Sequence, residues 1–263
     1  MEYLFDHLSE IEKLLKSRPF GLVTDVDGTI SRIAPTPNEA VVSPMCRRYL
    51  TALVDKLALA AVISGRPLNE VMGMVGVEGL VYVGNHGLQM WSRGVPEMWP
   101  GSEQYLDTID TAVSAIKSMA NIEGLFIENK GLTASIHYRN SPNTEAARSM
   151  ILSAAESLSN AYNLRVTEGR MVVELRPNID VNKGTALKSL IHKYSLSGVI
   201  YLGDDVTDVD AFEALHDRGV NGIAIGVSSN EAPPQLYDRA DFVIHGVSEA
   251  ERFLGWLVDS TGD

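Results

Sequence analysis

Two aspartates lie close together near the start of the chain, directly after a short apolar run. The run Phe20–Thr24 has the composition of a buried strand, and Asp25, Asp27 and Gly28 follow it. One carboxylate of such a pair can attack phosphorus, while the other protonates the leaving oxygen and then activates water. Glycine lets the backbone turn sharply after them. An Asx-rich turn without any chemistry has the same local pattern, so the pair alone does not decide between the two.

Two further segments carry groups that suit an anionic ligand. Ser64, Gly65 and Arg66 follow a second apolar run at 59–63 and offer a hydroxyl, backbone N–H groups and a guanidinium before a predicted helix. Lys183 begins another predicted helix, where a cation is unfavourable with the helix dipole unless an anion compensates it. Phosphate binding is therefore predicted at both segments, with a plain helix cap and a solvated lysine as the alternatives.

A late predicted strand, 198–202, is followed by Gly203 and then by three acids within five residues. Asp204, Asp205 and Asp208 have the composition of a site for a hard cation, and Mg²⁺ prefers a few carboxylates together with water and phosphate oxygens. The same acids would also stabilise the start of a helix, an alternative that applies most to Asp208. The sequence predicts Mg²⁺ as cofactor.

The elements that position these groups alternate between strand and helix in the first and last parts of the chain. This alternation predicts an α/β fold, a doubly wound parallel sheet of the Rossmann-like kind, over 1–90 and 177–263. The middle part, 91–176, is instead predicted to contain a helix and a hairpin twice over, which indicates an inserted α+β domain. Ligands of doubly wound sheets bind beyond the carboxyl ends of the strands, where three of the four segments lie, and Lys183 begins the helix after the insert.

Composition limits the classes of partner. The 263 residues carry a formal net charge of −12, which argues against nucleic acid as partner. No stretch approaches the roughly 18 apolar residues of a membrane span, and the first residues lack the pattern of a signal peptide. The single cysteine, Cys46, excludes an intramolecular disulfide. We expect a cytoplasmic protein with no membrane partner; the sequence leaves its oligomeric state open, with a monomer as the working expectation.

Taken together, the four segments resemble the motifs of the haloacid dehalogenase superfamily of phosphatases in their order and in their places at strand and helix edges. The resemblance implies that Asp25 is the nucleophile and a metal ligand, and that Asp27 is the acid and base and offers its backbone carbonyl to Mg²⁺. It also implies that the insert is a C2-type cap that selects the substrate. The other implied roles are phosphate binding by Ser64, Gly65, Arg66 and Lys183, and Mg²⁺ binding by Asp204, with Asp205 and Asp208 as ligands or supports.

Several short sequence segments are more specific, and the chain resembles trehalose-6-phosphate phosphatases over roughly 20–258. This resemblance implies that side chains of the insert bind the sugar and its phosphate, with a contribution from His86. Cross-strand salt bridges, and a loop histidine with no contact to substrate, are the alternatives. The segments that carry the resemblance are Gly84-Asn85-His86-Gly87, Glu128-Asn129-Lys130-Gly131, His137-Tyr138-Arg139, Glu174-Leu175-Arg176-Pro177 and Gly203-Asp204-Asp205. The implied binding residues are His86, Glu128, Lys130, Arg139 and Glu174.

The expected function is therefore Mg²⁺-dependent hydrolysis of trehalose 6-phosphate, a small-molecule sugar phosphate, through an aspartyl-phosphate. Val26, Gln89 and Val206 depart from the family pattern, and Gln89 places an amide where the family often has a carboxylate. Because of Gln89, other substrates stay open: sucrose phosphate, or mannosyl- or glucosyl-3-phosphoglycerate. A phospho-aspartate signalling module is the alternative that is not an enzyme, and Asp27 argues against it, because an adjacent acid promotes hydrolysis of the phosphate.

Overall fold

The computed structural model describes residues 2–34, 36, 39–119, 122–169, 171–216, 220–229 and 233–262. The chain folds into two compact units. The core unit consists of Met1–Glu97 and Val181–Asp263, and the insert unit consists of Met98–Asp180.

The helices and strands alternate through most of the core unit, and the insert unit has its own set. In chain order they are β1 (Glu2–Tyr3), α1 (Leu8–Leu14), β2 (Phe20–Thr24), α2 (Pro44–Lys56), β3 (Leu59–Ile63), α3 (Leu68–Val75), β4 (Val81–Gly84), β5 (Gln89–Ser92), β6 (Val95–Met98), α4 (Tyr105–Met119), β7 (Phe126–Asn129), β8 (Ala134–His137), α5 (Thr144–Tyr162), β9 (Leu164–Gly169), β10 (Val172–Pro177), α6 (Lys183–Lys193), β11 (Gly198–Gly203), α7 (Val206–His216), β12 (Asn221–Ser228), α8 (Pro234–Arg239), β13 (Phe242–His245) and α9 (Gly246–Ser260).

The larger sheet belongs to the core unit. Within the described residues it has nine strands in the order β1-β13-β12-β11-β2-β3-β4-β5-β6. In this order, each strand from β1 to β4 is parallel to its neighbour, and β5 runs antiparallel to β4. The strand β2 is central, with β11 on one side and β3 on the other. The order of the strands reverses at β2, which is where ligands of such sheets bind.

Successive residues of the central strands belong to opposite faces of this sheet. Leu22 and Ile200 lie in a buried apolar cluster that includes residues of α2 and α9. Val23 and Tyr201, one position further along each strand, lie in a second cluster with residues of α6 and α7. Because both faces are covered by helices, β2, β3 and β11 are buried along their whole length, as the continuous apolar runs predict.

The insert unit contains a four-stranded antiparallel sheet in the order β7-β8-β10-β9, counted over the described residues. Ile136 of β8 and Val173 of β10 are partners in register, and both are fully buried. The next row, Glu128, Ser135 and Glu174, points to the opposite face because side chains alternate along a strand. This row carries two of the acids that the resemblance assigns to substrate binding.

The predicted α/β fold class is confirmed: a mainly parallel sheet lies between helices, and a separate α+β unit interrupts it. The structure differs in where the insert begins. Strands β5 and β6 extend the core sheet to Met98, so the observed division after Glu97 lies beyond the predicted one at 90. Both strands are short and half-exposed, and β6 contains Pro96 and Glu97. Neither strand therefore has the sequence pattern of a buried strand.

None of the helices in the described ranges combines the length and the apolar composition that crossing a bilayer requires.

Candidate active site

The chemistry-bearing segments of the core unit meet at one edge of the sheet. Asp25 follows β2, Ser64 follows β3 and Asp204 follows β11, and these three parallel strands are neighbours. Thr24, the last residue of β2, is in register with Leu202 of β11 and with Val62 of β3. The carboxyl ends of the three strands are therefore level, and their following residues lie side by side.

Lys183 joins two acids of this edge through its ammonium group. Its Nζ donates to Asp25 Oδ1 at 2.7 Å and to Asp208 Oδ1 at 2.7 Å. The lysine is only 3% exposed and Asp208 is 0% exposed, so the ion pairs are shielded from water. The helix α6 fixes the lysine at its first turn through a capping box, in which Asn182 and Thr185 satisfy each other's backbone N–H groups.

The site holds more acid than base. Carboxylate oxygens of Asp25, Asp204 and Asp208 lie within 4.8 Å of one another. Burial raises the pKa of Asp25 to about 7 although Lys183 opposes the shift, and burial with the charges of Asp25 and Asp208 raises the pKa of Asp204 to about 9. Burial lowers the pKa of Lys183, but the charges of Asp208 and Asp25 outweigh it and the pKa is raised. One ammonium group cannot neutralise three ionised carboxyl groups, so the charge of the cluster suits an additional cation.

The donor set suits a hard cation. Carboxylate oxygens are the ligands that Mg²⁺ and Ca²⁺ take, and the soft ligands that favour transition metals do not occur in the cluster. Asp25 and Asp204 therefore fit a Mg²⁺ site on the chemistry of their oxygens and on the raised pKa of both carboxyl groups.

Asp204 is oriented by the loop after β2. Thr29 Oγ1 donates to Asp204 Oδ1 at 3.1 Å, and Thr29 is fully buried. Gly28 has a φ of +87°, and a Cβ built on it would lie 1.9 Å from Asp204 Oδ2. Position 28 therefore needs glycine for two reasons, its backbone conformation and the close approach of the carboxylate.

Asp208 is occupied by hydrogen bonds from four donors. Its Oδ1 accepts from Lys183 Nζ and from the Tyr201 hydroxyl, each at 2.7 Å. Its Oδ2 accepts from the backbone N–H groups of Asp204 at 3.1 Å and Asp205 at 3.0 Å. A carboxylate has about four lone-pair positions, so these donors account for its acceptor capacity. Asp208 holds the lysine and the loop after β11 in place.

Asp27 and Arg66 form a bidentate ion pair at the edge of this cluster. Arg66 Nε lies 2.6 Å from Asp27 Oδ2, and Arg66 Nη2 lies 2.7 Å from Asp27 Oδ1. The Asp27 side chain is 36% exposed, in contrast to buried Asp25. The guanidinium that the sequence assigns to phosphate thus contacts the second aspartate.

The loops after β3 and β4 are tied together by backbone hydrogen bonds. His86 N–H donates to the Ser64 carbonyl at 3.0 Å, and Asn85 N–H donates to the Arg66 carbonyl at 2.8 Å. The Ser64 hydroxyl accepts from Arg66 N–H at 3.1 Å and is almost fully buried. A Cβ at Gly65 would lie 2.6 Å from the His86 imidazole, so glycine makes room for the ring.

In the insert unit, a lysine again lies between two acids. Lys130 Nζ is 3.7 Å from Glu128 Oε2 and 3.7 Å from Glu174 Oε1. Ser135 Oγ donates to Glu174 Oε1 at 3.0 Å, and His137 Nε2 lies 3.4 Å from Glu128 Oε2. The five residues form a polar cluster on the sheet face opposite Ile136 and Val173.

Comparison with known proteins decides the family. The trehalose-phosphatase family model matches residues 23–242. The chain belongs to the trehalose-phosphatase family. It is 33% identical over 267 residues to the trehalose-phosphate phosphatase of Mycobacterium marinum, covering 95% of this chain and 67% of that relative.

Solved structures support the fold. A trehalose-6-phosphate phosphatase related protein gives a TM-score of 0.77 at 23% identity, covering 91% of this chain and 97% of that one. The C-terminal domain of Candida albicans trehalose-6-phosphate phosphatase gives 0.74 at 20% identity, covering 96% and 97%. The chain is thus a phosphoric monoester hydrolase by family, with the fold of these trehalose-phosphatase structures.

The structure brings together part of the site that the sequence predicts. Asp25, Asp204, Asp208 and Lys183 share one buried cluster, whereas the Asp205 side chain is exposed and outside it. Arg139 is exposed in the turn after β8, and the ion pairs of the insert cluster do not include it. The roles of all these residues in the reaction remain predictions.

Sequence reasoning missed four side chains that contact the predicted ones. Two of them lie two residues from a predicted residue, Asp27 or Arg139, which is a weak signal, whereas the other two depend on strand register and have no such signal. The four are Thr29, Ser135, His137 and Tyr201.

Replacing Gly28 by alanine tests the close approach to Asp204. We expect Gly28→Ala to lower the rate of phosphate release about a hundredfold or more, because the new methyl group displaces the carboxylate. Gly94→Ala is the matched control: Gly94 has a similar φ of +80°, but a Cβ built on it would have no atom within 4 Å. Both variants carry the backbone cost of about 1–2 kcal/mol. Equal activity of the two variants in a phosphate-release assay would contradict the assignment.

Proposed function

We propose that the chain hydrolyses trehalose 6-phosphate to trehalose and phosphate, with Mg²⁺ bound and through an aspartyl-phosphate on Asp25. The observation that carries the proposal is the buried contact of Asp25 with Lys183, at the end of the central strand and beside Asp204. Membership of the trehalose-phosphatase family supports the reaction class and favours a hydrolase over a signalling module.

In the first step a carboxylate oxygen of Asp25 attacks phosphorus, and the bond from phosphorus to the sugar oxygen breaks. The departing sugar oxygen takes a proton from the carboxyl group of Asp27. Lys183 supports this assignment because its ammonium group orients Asp25 and offsets negative charge on the transferred group.

In the second step Asp27, now a carboxylate, takes a proton from water, and the water oxygen attacks phosphorus. The bond between phosphorus and Asp25 breaks, which releases phosphate and restores both aspartates to their starting forms. Asp27 is half-exposed and is held by the bidentate contact with Arg66, which suits a group that water must reach.

The residues proposed to hold Mg²⁺ are Asp25, Asp204 and the backbone carbonyl of Asp27. Because hydrogen bonds fill the acceptor positions of Asp208, we propose that it supports the site without binding Mg²⁺. We propose a supporting role for Asp205 too, because it is exposed. When bound, Mg²⁺ would offset the repulsion between the Asp25 carboxylate and the phosphate group. Ser64, Gly65 and Lys183 are proposed to hold the phosphate, with Arg66 positioning Asp27.

For the sugar, we propose that Glu128, Lys130 and Glu174 bind hydroxyl groups, with Arg139 and His86 as further contacts. The charged cluster of the insert unit offers both acceptors and a donor, which is what sugar hydroxyls need. The Mycobacterium marinum relative, a trehalose-phosphate phosphatase, supports trehalose 6-phosphate over other sugar phosphates. Gln89 keeps those others as the second candidate; its side chain accepts from Asn85 Nδ2 at 2.8 Å.

Location and partners stay predictions. We propose a cytoplasmic enzyme that binds neither nucleic acid nor membranes. The net charge of −12 and the single, buried free Cys46 support this placement.

Magnesium binding is expected to displace protons. With pKa values raised to about 7 at Asp25 and about 9 at Asp204, at least one of the two groups is largely protonated at neutral pH, and ligation requires both to ionise. Titration calorimetry in buffers of different ionisation enthalpy should show net proton release and tighter binding as pH rises towards about 9. A Glu128→Gln control should behave as wild type. Binding without proton release at neutral pH would contradict the acid cluster as the Mg²⁺ site.

The same pKa shifts determine the direction in which the free energy of unfolding changes with pH. Between the ordinary aspartate value of 3.8 and about 9, the folded chain binds more protons than the unfolded chain. The contribution of these groups to the free energy of unfolding therefore falls as pH rises through this window, and Mg²⁺ reduces that loss.

A panel of sugar phosphates tests the substrate. We expect trehalose 6-phosphate to give the highest kcat/KM, and Lys130→Ala to raise its KM about tenfold or more by removing a charged donor. Lys117→Ala, at an exposed lysine of α4, removes the same charge from the insert unit and should leave KM unchanged. If trehalose 6-phosphate ranks below the other sugar phosphates, the substrate is wrong while the chemistry at Asp25 stands.

A further inference from the structure

Tyr201 carries a hydroxyl group in the middle of the apolar core. It lies on β11, is fully buried and belongs to the apolar cluster between the sheet and the helices α6 and α7. Its ring packs edge-on against Phe212 with centroids 5.9 Å apart. A phenylalanine would satisfy this packing equally well, so the hydroxyl needs a separate reason.

The hydroxyl has one described partner, an acid of the active site. Tyr201 Oη donates to Asp208 Oδ1 at 2.7 Å, the same oxygen that accepts from Lys183 Nζ. Burial and the nearby charge of Asp208 raise the pKa of Tyr201 well above its usual value, so the phenol keeps its proton and remains a donor. The hydrogen bond is charge-assisted and shielded from water, which makes it one of the stronger kinds.

Asp208 also contacts Lys183, so the hydrogen bond from Tyr201 to Asp208 restrains the lysine as well. Three buried side chains follow one another from Tyr201: Asp208, then Lys183, then Asp25, with successive contacts of 2.7 Å. Two of the lysine's three N–H donors are taken by the two aspartates, which leaves the third for an oxygen of the phosphate group. The direction of that third donor depends on where Asp208 Oδ1 is held.

We infer that Tyr201 is a positioning residue of the phosphatase, which acts through Asp208 to set the position of Lys183 against Asp25. The inference rests on the proposed function, because Lys183 matters to turnover only if Asp25 is the nucleophile. The hydroxyl fixes one face of Asp208 Oδ1, and the backbone N–H groups of Asp204 and Asp205 fix the other oxygen. Without the hydroxyl, the carboxylate has one donor fewer to restrain its rotation.

The chain provides a matched control in Tyr82. Tyr82 is also buried, and its hydroxyl bonds only with Val77 among the described residues, donating to the carbonyl at 2.7 Å and accepting from the N–H at 2.8 Å. Tyr201→Phe and Tyr82→Phe each remove one buried hydroxyl and keep the ring. The two variants therefore separate a loss of core hydrogen bonding from a loss of positioning.

Steady-state kinetics and thermal unfolding test the inference. Tyr201→Phe should lower kcat about tenfold, the effect of losing one hydrogen bond to a charged group, and change KM less than threefold. Tyr82→Phe should lower the unfolding temperature at least as much and keep wild-type kcat. A Tyr201→Phe enzyme with wild-type kcat would overturn the inference. So would a Tyr201→Phe chain that fails to fold while Tyr82→Phe folds, because the hydroxyl would then serve the fold itself.

A measurement that needs no substrate distinguishes this inference from the proposed function. The ammonium signal of Lys183, assigned in nitrogen-15 NMR spectra by its loss in Lys183→Met, should shift in Tyr201→Phe and not in Tyr82→Phe. An unshifted signal would overturn the positioning role even if the enzyme hydrolyses trehalose 6-phosphate. A shifted signal in an enzyme that releases phosphate from none of the sugar phosphates would leave the contact to Lys183 standing and refute the proposed function.

Discussion

The ammonium group of Lys183 is the charge on which the rest of the active site depends. A buried cation is costly unless it is paired at close range, and this one has two carboxylate partners at 2.7 Å. Three elements must therefore meet at one place: the end of β2, which Asp25 follows, the first turn of α7, which carries Asp208, and the first turn of α6, which begins with Lys183. Level ends of β2 and β11 and the capping box of α6 meet this requirement.

The same pairing explains why the cluster suits a second cation. Lys183 neutralises only part of the charge that Asp25, Asp204 and Asp208 carry when all are ionised. The remaining acid is tightly packed, because the space beside Gly28 that a Cβ would need is filled by the Asp204 carboxylate. The insert unit repeats the arrangement of a lysine between two acids, at 3.7 Å, in a looser and more exposed form.

Much of the fold and part of the site could be predicted from the sequence. The uninterrupted apolar runs before Asp25, Ser64 and Asp204 define buried parallel strands, and parallel strands bring their carboxyl ends together. Contacts that depend on register could not be predicted in this way: Tyr201 reaches Asp208 only because alternate residues of β11 face the same helices. The acid motif likewise does not reveal that Asp205 turns outward.

The most direct test of the account is to identify the group that carries phosphate during turnover. Trehalose 6-phosphate with a radiolabelled phosphate group, mixed with excess enzyme and Mg²⁺ and quenched in acid within one turnover, should leave label on the protein. Borohydride reduction and peptide mass spectrometry should place it at Asp25, and hydroxylamine should release it, as expected for an acyl phosphate. Phosphate release with no label on the protein, or label on another residue, would contradict Asp25 as the nucleophile.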